Sequence, residues 1–165
     1  ELLCGYLQLS DEIKKKIKLD FAGEFVSVDS ENEFKSKIQS EKNIKYYGIV
    51  SDAEKISLFA KSNVFCLPTT FFEGQPVSVL EAYASGCIVV TTAQSGILDV
   101  FHDGENGYLL KNFPLSNSIA EILKYILFLP IDNKISIALL NAEYARNKFR
   151  LTPYILSLKK AMGLI

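Results

Sequence analysis

Residues 71–86 have the sequence FFEGQPVSVLEAYASG, in which a short apolar run passes into a helical one. Gly74 allows backbone conformations closed to other residues, and Pro76 suits the first position of a helix because its φ angle is fixed. We therefore expect Gln75 to cap a helix that begins at Pro76. Its first backbone N–H groups, starting with Val77, lack partners inside the helix and carry about half a positive charge. The segment has the outline of a phosphate-binding site.

One carboxylate stands inside this helix. Glu81 is the only charged residue between Pro76 and Val90, and the helix around it is apolar on nearly every side. A helix of that composition is expected to be buried, and at about 100° per residue Glu81 lies close to the direction of Val77 and Ala84 on a packed face. A buried carboxylate needs hydrogen-bond partners, and the vicinal hydroxyls of a ribose would donate two. We therefore expect Glu81 to bind a ligand.

Short apolar segments alternate with longer amphipathic ones, which is typical of strands and crossover helices in a parallel sheet. The predicted strands are Leu19–Ala22, Ile44–Gly48, Val64–Pro68, Ile88–Thr92 and Tyr108–Leu110. The predicted helices are Leu2–Ile17, Glu31–Gln39, Ala53–Ser62, Pro76–Ser85, Ser116–Leu127, Lys134–Lys148 and Pro153–Met162. This order predicts an α/β fold with a doubly wound parallel sheet and C-terminal helices. A ligand is then expected outside the carboxyl ends of the strands.

The length and the composition indicate a single domain. A chain of 165 residues with 48% hydrophobic residues can bury one core. A doubly wound domain opens with a strand that feeds its first helix, whereas the helical pattern here begins at Leu2. We therefore expect residues 1–165 to form one domain that lacks its first strand.

The charge and the cysteines exclude several classes of protein. With 18 basic and 19 acidic side chains, no overall field attracts the chain to nucleic acid. Cys4, Cys66 and Cys87 lie far apart in apolar runs, so we interpret them as reduced packing residues of a cytoplasmic protein. No apolar stretch approaches the roughly 20 residues of a transmembrane helix. The single histidine and the cysteine spacing predict no metal site.

Glu73 and Glu81 are separated by seven residues. In this spacing the chain resembles the family 4 retaining glycosyltransferases, enzymes of the two-domain, Rossmann-like GT-B architecture whose signature is two glutamates separated by seven residues. Further matching segments follow in the expected order over nearly the whole chain. They are Ile44–Val50, Val64–Pro68, Ala84–Gly86, Gly96 and Asp103–Gly107.

The resemblance implies a role for each matching residue. Glu81 would hold the ribose hydroxyls of a nucleotide, and Glu73, the candidate catalytic residue, would contact the donor sugar. The backbone of Gly74–Val77, which includes Gln75 and Pro76, would cradle the diphosphate and the sugar. Ile49 and Val50 would lie beside the base and contact it through backbone atoms. Gly96 would also lie at the donor, although Ser95 and Ile97–Asp99 differ from the family's usual residues there.

The activity implied is transfer of a sugar, of the hexosyl type, from a nucleoside-diphosphate sugar to an acceptor hydroxyl with retention at the anomeric carbon. An N-terminal domain outside this sequence would hold the acceptor, and Pro153–Ile165 would cross back towards it. This domain alone is expected to bind the nucleotide sugar without turning it over. In the family, an Arg and a Lys ahead of the first helix offset the diphosphate charge without a metal or other cofactor, and neither is in this sequence. The resemblance also suggests a bacterial polysaccharide or glycolipid pathway, and peripheral association of the enzyme with the inner face of the membrane.

Three other classes of protein stay open. A non-catalytic nucleotide-sugar-binding module would keep the fold and lose transfer, but both Glu73 and Glu81 are present. A sugar-nucleotide epimerase of the same architecture would need additional acid and base residues, and we find no such group. A flavodoxin-like or regulatory domain would carry phosphate or acceptor-aspartate signals after its first strand. The site residues, more than the fold, favour the glycosyltransferase.

Overall fold

The computed structural model describes residues 1–162 as five short strands and nine helices. The strands are β1 (Leu19–Phe21), β2 (Ile44–Tyr46), β3 (Val64–Leu67), β4 (Ile88–Thr92) and β5 (Gly107–Leu110). The helices are α1 (Leu2–Leu7), α2 (Asp11–Lys14), α3 (Val28–Ile38), α4 (Asp52–Lys61), α5 (Val77–Ala84), α6 (Ser95–Leu98), α7 (Leu115–Phe128), α8 (Ile131–Lys148) and α9 (Leu151–Ala161).

The strand pairs are parallel and belong to two sheets. In one sheet β1 pairs with β2 and Leu19 lies opposite Ile44. In the other sheet β4 lies between β3 and β5, with Val90 opposite both Cys66 and Tyr108. Parallel strands joined through helices confirm the predicted α/β class. Within the described residues the strands form two sheets, and the edges of β1 and β3 that face the other sheet pair with no described strand.

Alternate residues of β4 enter two hydrophobic clusters on its opposite faces. Ile88 and Val90 pack in the first cluster with Tyr6 of α1 and Ile119 of α7. Val89 packs in the second cluster with residues of α5, α6 and α8. Helices therefore cover β4 on both faces, as a doubly wound domain requires.

The predicted first helix, Leu2–Ile17, is wrong because two helices occupy this range. The break lies at residues 8–10, where Ser10 has an extended ψ of 155° and acts as the N-cap of α2. Asp11 and Glu12 then fill the first turn, where carboxylates complement the positive end of the helix dipole. The chain therefore starts a new helix at this serine instead of extending α1.

Serine caps also start α3 and α4 earlier than predicted. The side chain of Ser27 accepts a hydrogen bond from the backbone N–H of Ser30 at 3.2 Å. At α4, Ser51 and Glu54 form a capping box, in which Oε2 of Glu54 accepts from the N–H of Ser51 at 2.8 Å. Each pair satisfies N–H groups that the helix itself cannot.

Most other boundaries lie within one to three residues of the prediction. Three strands end sooner than predicted, at Phe21, Tyr46 and Leu67. One strand and three C-terminal helices begin earlier, at Gly107, Leu115, Ile131 and Leu151. Helix α6 was not predicted, because four residues are too few to show a period. Of the predicted crossing segment Pro153–Ile165, residues 163–165 lie outside the described part of the chain.

Two buried asparagine side chains join α8 to the amino ends of β4 and β5. Nδ2 of Asn106 donates to Oδ1 of Asn141 at 2.8 Å. Nδ2 of Asn141 donates to the carbonyl oxygens of Cys87 and Asn106, at 2.8 and 2.9 Å. This network satisfies polar groups that burial would otherwise penalise, and it fixes α8 at the end of the sheet opposite the predicted ligand site.

Candidate functional site

The loop between β3 and α5 lies at the carboxyl end of β3, beside the end of β4. The hydroxyl of Thr92, the last residue of β4, donates to the carbonyl oxygen of Thr69 in this loop. The Thr69 hydroxyl donates to Oε1 of Glu73 at 2.9 Å and accepts from the N–H of Phe71 at 3.2 Å. These contacts give the loop a defined shape and place Glu73 at the edge where the ligand was predicted.

Gly96 of α6 supports the same loop. Its backbone N–H donates to the carbonyl oxygen of Glu73 at 3.2 Å. A Cβ atom at position 96 would lie 1.8 Å from the carbonyl oxygen of Gly74, which is far inside van der Waals contact. Gly96, a predicted donor-binding residue, therefore lies against the loop of the site, and packing alone requires a glycine there.

Helix α5 begins at Val77 with Pro76 as its N-cap, one residue later than predicted. Pro76 has an extended ψ of 119°, so it precedes the helix, and Gln75 is not the cap. The carbonyl oxygen of Pro76 accepts a hydrogen bond from the N–H of Val79 at 3.1 Å. The N–H groups of Val77 and Ser78 donate to no acceptor within residues 1–162. The positive end of α5 is therefore free to bind an anion.

Glu81 lies on the outward face of α5, and the prediction that it points along a packed face is wrong. The helix buries Val79 and Tyr83, and the ring of Tyr144 from α8 packs against Tyr83 at 5.9 Å between centroids. Val77, on the side of Glu81, is 67% exposed. The Glu81 side chain keeps 32% of its surface exposed. The packed side of α5 is set by α8, a helix distant in sequence, so composition alone could not identify it.

Lys55 of α4 forms an ion pair with Glu81. Its Nζ lies 2.7 Å from Oε1 of Glu81 and 3.5 Å from Oδ1 of Asp52. The hydrogen bond to Glu81 raises the pKa of the Lys55 ammonium, and burial opposes this rise. The sequence alone does not indicate a role for Lys55, because one lysine on an amphipathic helix gives no signal of its own.

Ile49 and Val50 follow the carboxyl end of β2. Gly48 turns the chain there with a φ of +66°, a conformation that favours glycine. Within residues 1–162, the N–H and C=O groups of Ile49 and Val50 form no hydrogen bonds, so they are available to a ligand. The capping box at Ser51 then starts α4, which leads to Lys55 one turn later.

Apart from Glu81 and Gly96, the predicted site residues lie in two groups. One group is the loop and helix start from Glu73 to Val77, and the other is the Ile49–Val50 segment. The ion pair between Lys55 and Glu81 connects α4, which follows the second group, to α5, which follows the first. The loop carries Phe71 and Phe72 away from both clusters, so their side chains are 78% and 85% exposed.

Other features of the described chain do not coincide with this site. Among residues 1–162, no three His, Cys, Asp or Glu side chains lie close enough to share a metal ion. In the same residues, no helix is both long and apolar enough to cross a bilayer. An open groove of about 420 Å³ is lined by Lys124, Tyr125, Phe128, Leu129 and Pro130. It lies at the end of α7, towards the amino ends of the strands, and therefore away from the predicted ligand.

The fold and the site define a parallel α/β domain in which the N-terminus of α5 is free, with Glu73 before it and Glu81 within the helix. Residues 4–137 match the family model of glycosyl transferases group 1. The chain belongs to this glycosyltransferase family.

Two curated relatives match shorter parts of the chain. Phosphatidyl-myo-inositol mannosyltransferase of Mycobacterium tuberculosis is 34% identical over 68 residues, which are 41% of this chain and 18% of that protein. Putative glycosyltransferase EpsD of Bacillus subtilis is 29% identical over 102 residues, which are 60% of this chain and 26% of that protein. The chain thus spans about a quarter or less of the length of these relatives.

Solved structures share the fold over almost the whole chain. The Anabaena protein Alr3699/HepE, in complex with UDP and glucose, superposes with a TM-score of 0.81 at 19% identity, over 99% of this chain and 44% of that one. The C-terminal domain of a glycosyl transferase group 1 family protein (LpcC) from Francisella tularensis gives 0.74 at 23% identity, over 91% and 77%. The neighbours confirm a GT-B glycosyltransferase fold.

Proposed function

We propose that this chain is the donor-binding domain of a retaining glycosyltransferase, and that it binds a nucleoside-diphosphate sugar. One observation carries the proposal: Glu73 and Glu81 flank the free N-terminus of α5 in a chain of the glycosyl transferase group 1 family. A helix N-terminus attracts phosphate, and a carboxylate on each side of it can accept hydrogen bonds from hydroxyls. A ligand with a phosphate between two hydroxyl-bearing sugars matches this order of groups.

The nucleotide would occupy the side of Glu81. The N–H groups of Val77 and Ser78 would donate to the diphosphate. The carboxylate of Glu81 would accept hydrogen bonds from the ribose diol, and the free backbone groups of Ile49 and Val50 would contact the base. The exposure of Glu81 favours this role over a purely structural one, because a ligand can reach the carboxylate.

The donor sugar would occupy the side of Glu73. The Thr69 hydroxyl uses Oε1 of this carboxylate, which leaves Oε2 for a sugar hydroxyl. Gly74 and Gln75 are exposed in the same loop and would bring backbone groups to the sugar and the diphosphate. Glu73 is our candidate catalytic residue. It would act by orienting the sugar while the helix N-terminus stabilises the leaving diphosphate.

The nature of the donor is supported by the relatives. The structural neighbour from Anabaena binds UDP and glucose, and a curated relative is a mannosyltransferase. A hexosyl donor is therefore part of the proposal. We also propose that the sugar is transferred to an acceptor hydroxyl with retention. A second domain would hold the acceptor, and the reaction would not require a metal ion. We place the enzyme in the cytoplasm, at the inner face of the membrane, in polysaccharide or glycolipid synthesis.

The domain organisation is also proposed, and the arrangement of the two sheets supports it. Both β1 and β3 border the same hydrophobic cluster, to which Leu19, Phe21, Val64 and Cys66 contribute, yet they are not hydrogen-bonded to each other. One parallel strand between them would give the strand order 3-2-1-4-5-6 of a Rossmann fold. We propose that the first strand of the domain occupies this place.

Calorimetric titration tests the proposed function. UDP, GDP and ADP, and the sugar nucleotides UDP-glucose, GDP-mannose and ADP-glucose, are titrated into the protein. We expect one nucleotide to be preferred, with a Kd of roughly high micromolar to millimolar, because the basic pair of the family is not in this sequence. Glu81→Ala should weaken the binding about tenfold or more, because it removes hydrogen bonds to a charged group. Glu105→Ala, an exposed carboxylate in the turn before β5, is the matched control and should bind normally. Binding that Glu81→Ala leaves unchanged, or no binding of any nucleotide, would contradict the proposal.

A further inference from the structure

Lys55 is the one cation that pairs with Glu81 among the described residues. The pair joins two helices, so local helix geometry does not impose it, unlike the ion pairs within α3. Both side chains are partly withdrawn from water, with 37% of Lys55 and 32% of Glu81 exposed. An ion pair in such a place holds the carboxylate in one orientation more firmly than a fully exposed pair would.

Lys55 itself stands on a fixed support. It lies in the first turns of α4, just after the capping box of Ser51 and Glu54, whose two side chains bond reciprocally to the backbone. The Lys55 ammonium also lies 3.5 Å from Asp52, one turn earlier on the same helix. The ammonium therefore reaches Glu81 from a capped helix start, which follows the Ile49–Val50 segment along the chain.

The ion pair engages one carboxylate oxygen of Glu81. The distance of 2.7 Å is from Nζ to Oε1, and a carboxylate has about four acceptor positions in all. Oε2 and the second lone pair of Oε1 stay open to hydroxyl donors. The lysine thus orients the carboxylate without filling it, and a ligand need not order a flexible side chain when it binds.

We infer that Lys55 is a positioning residue for the ribose: it holds the Glu81 carboxylate in the orientation that accepts the two ribose hydroxyls. This inference rests on the proposed function, and it assigns Lys55 no contact of its own with the base or the diphosphate. Lys55 therefore contributes to the preference for a ribonucleotide over an analogue without the diol.

The test compares nucleotides with and without the diol. UDP and GDP, each beside its 2′,3′-dideoxy analogue, are titrated into the wild-type protein and into Lys55→Met. For the nucleotide that binds, we expect the substitution to weaken ribonucleotide binding about threefold to fivefold and to leave the dideoxy analogue unchanged. Lys55→Arg should restore much of the difference. Lys61 lies on the same helix and forms no ion pair within residues 1–162, so Lys61→Met is the control and should bind nucleotides as the wild type does.

The Glu81→Gln background gives a second, independent readout. If Lys55 acts through the carboxylate, Lys55→Met should cause no further loss in this background. Urea midpoints of the variants show whether a loss reflects unfolding. Three results would overturn the inference and leave the proposed function standing. They are an equal loss of affinity for the ribonucleotide and its dideoxy analogue, an additional loss of affinity in the Glu81→Gln background, and tighter ribonucleotide binding by Lys55→Met. A wild-type protein that binds no nucleotide would overturn both.

Discussion

The carbonyl oxygen of Gly74 occupies the space where a side chain at Gly96 would begin. The separation would be 1.8 Å, and the N–H of Gly96 also donates to the carbonyl oxygen of Glu73. The short helix α6 therefore supports the site loop through two consecutive residues of that loop. A residue without side-chain chemistry thus determines where the Glu73 carboxylate can lie.

Gly96→Ala should displace the loop of the site. Because the new methyl group meets backbone rather than a flexible side chain, we expect a loss of about 1–3 kcal/mol in the free energy of unfolding, measured in urea. Nucleotide-sugar affinity should fall with it. The matched control is Gly74→Ala, where a Cβ would meet nothing within 4 Å. Its unfolding free energy should change by less than about 0.5 kcal/mol. Equal stability of the two variants would contradict this account of the loop.

Thr69→Val should release Glu73 from its orientation. The substitution removes the hydrogen bond to Oε1 of Glu73 and the one from the N–H of Phe71. We expect a loss of about 1 kcal/mol in stability. The affinity gained when the sugar is added to the nucleotide should also shrink, since only the sugar is proposed to contact Glu73. Titration with UDP and UDP-glucose, or GDP and GDP-mannose, measures that difference. Thr70, the exposed neighbour of Thr69, provides the control, because Thr70→Val should leave both the stability and the affinity unchanged.

Asn141→Leu should destabilise the domain without altering the site. The substitution leaves Nδ2 of Asn106 and the carbonyl oxygen of Cys87 without this partner, and the carbonyl oxygen of Asn106 keeps only its bond from the N–H of Val89. We expect the unfolding free energy to fall by roughly 3 kcal/mol or more. Asn147→Leu, an exposed position on the same helix, should change it little. Below the unfolding transition, nucleotide affinity should be unchanged because the network lies at the amino ends of the strands. A selective loss of binding would show that α8 acts on the site.

Cys87 should resist alkylation in the native protein, whereas Cys4 should react. Burial raises the pKa of the Cys87 thiol to about 11, and the thiol donates to the carbonyl oxygen of Ser62 at 3.4 Å. The thiolate is the reactive form, so at pH 8 only about one molecule in a thousand carries it. Cys4 is exposed. Treatment with iodoacetamide followed by peptide mass spectrometry measures both sites. We expect Cys4 to be modified in the native protein and Cys87 only after the protein is unfolded in urea.

The α/β class was confirmed, and both it and the location of the candidate site were predicted from local signals. Alternating apolar segments located the five strands, and Gly74 and Pro76 marked the junction where the phosphate was expected. The spacing of the two glutamates is the feature on which the resemblance to the family 4 enzymes was based. These features depend on residues close together in sequence, and period and turn chemistry report them directly.

The remaining details depend on contacts between distant segments. Glu81 faces outward because α8 takes the other side of α5, and its partner Lys55 comes from a different helix. Ser10 interrupts the first helical pattern, although the apolar period continues through it. Such outcomes are set by packing, which overrides local preference and cannot be read from one segment.

While no strand occupies the place between β1 and β3, their free edges also bear on how residues 1–162 behave in concentrated solution. An unpaired parallel edge presents backbone donors and acceptors that any extended polypeptide can bind, including a second molecule. Association of this kind uses main-chain groups, so changes of surface charge or added salt would do little to prevent it. A short extended peptide that fits between the two strands would compete with it and keep the molecules apart.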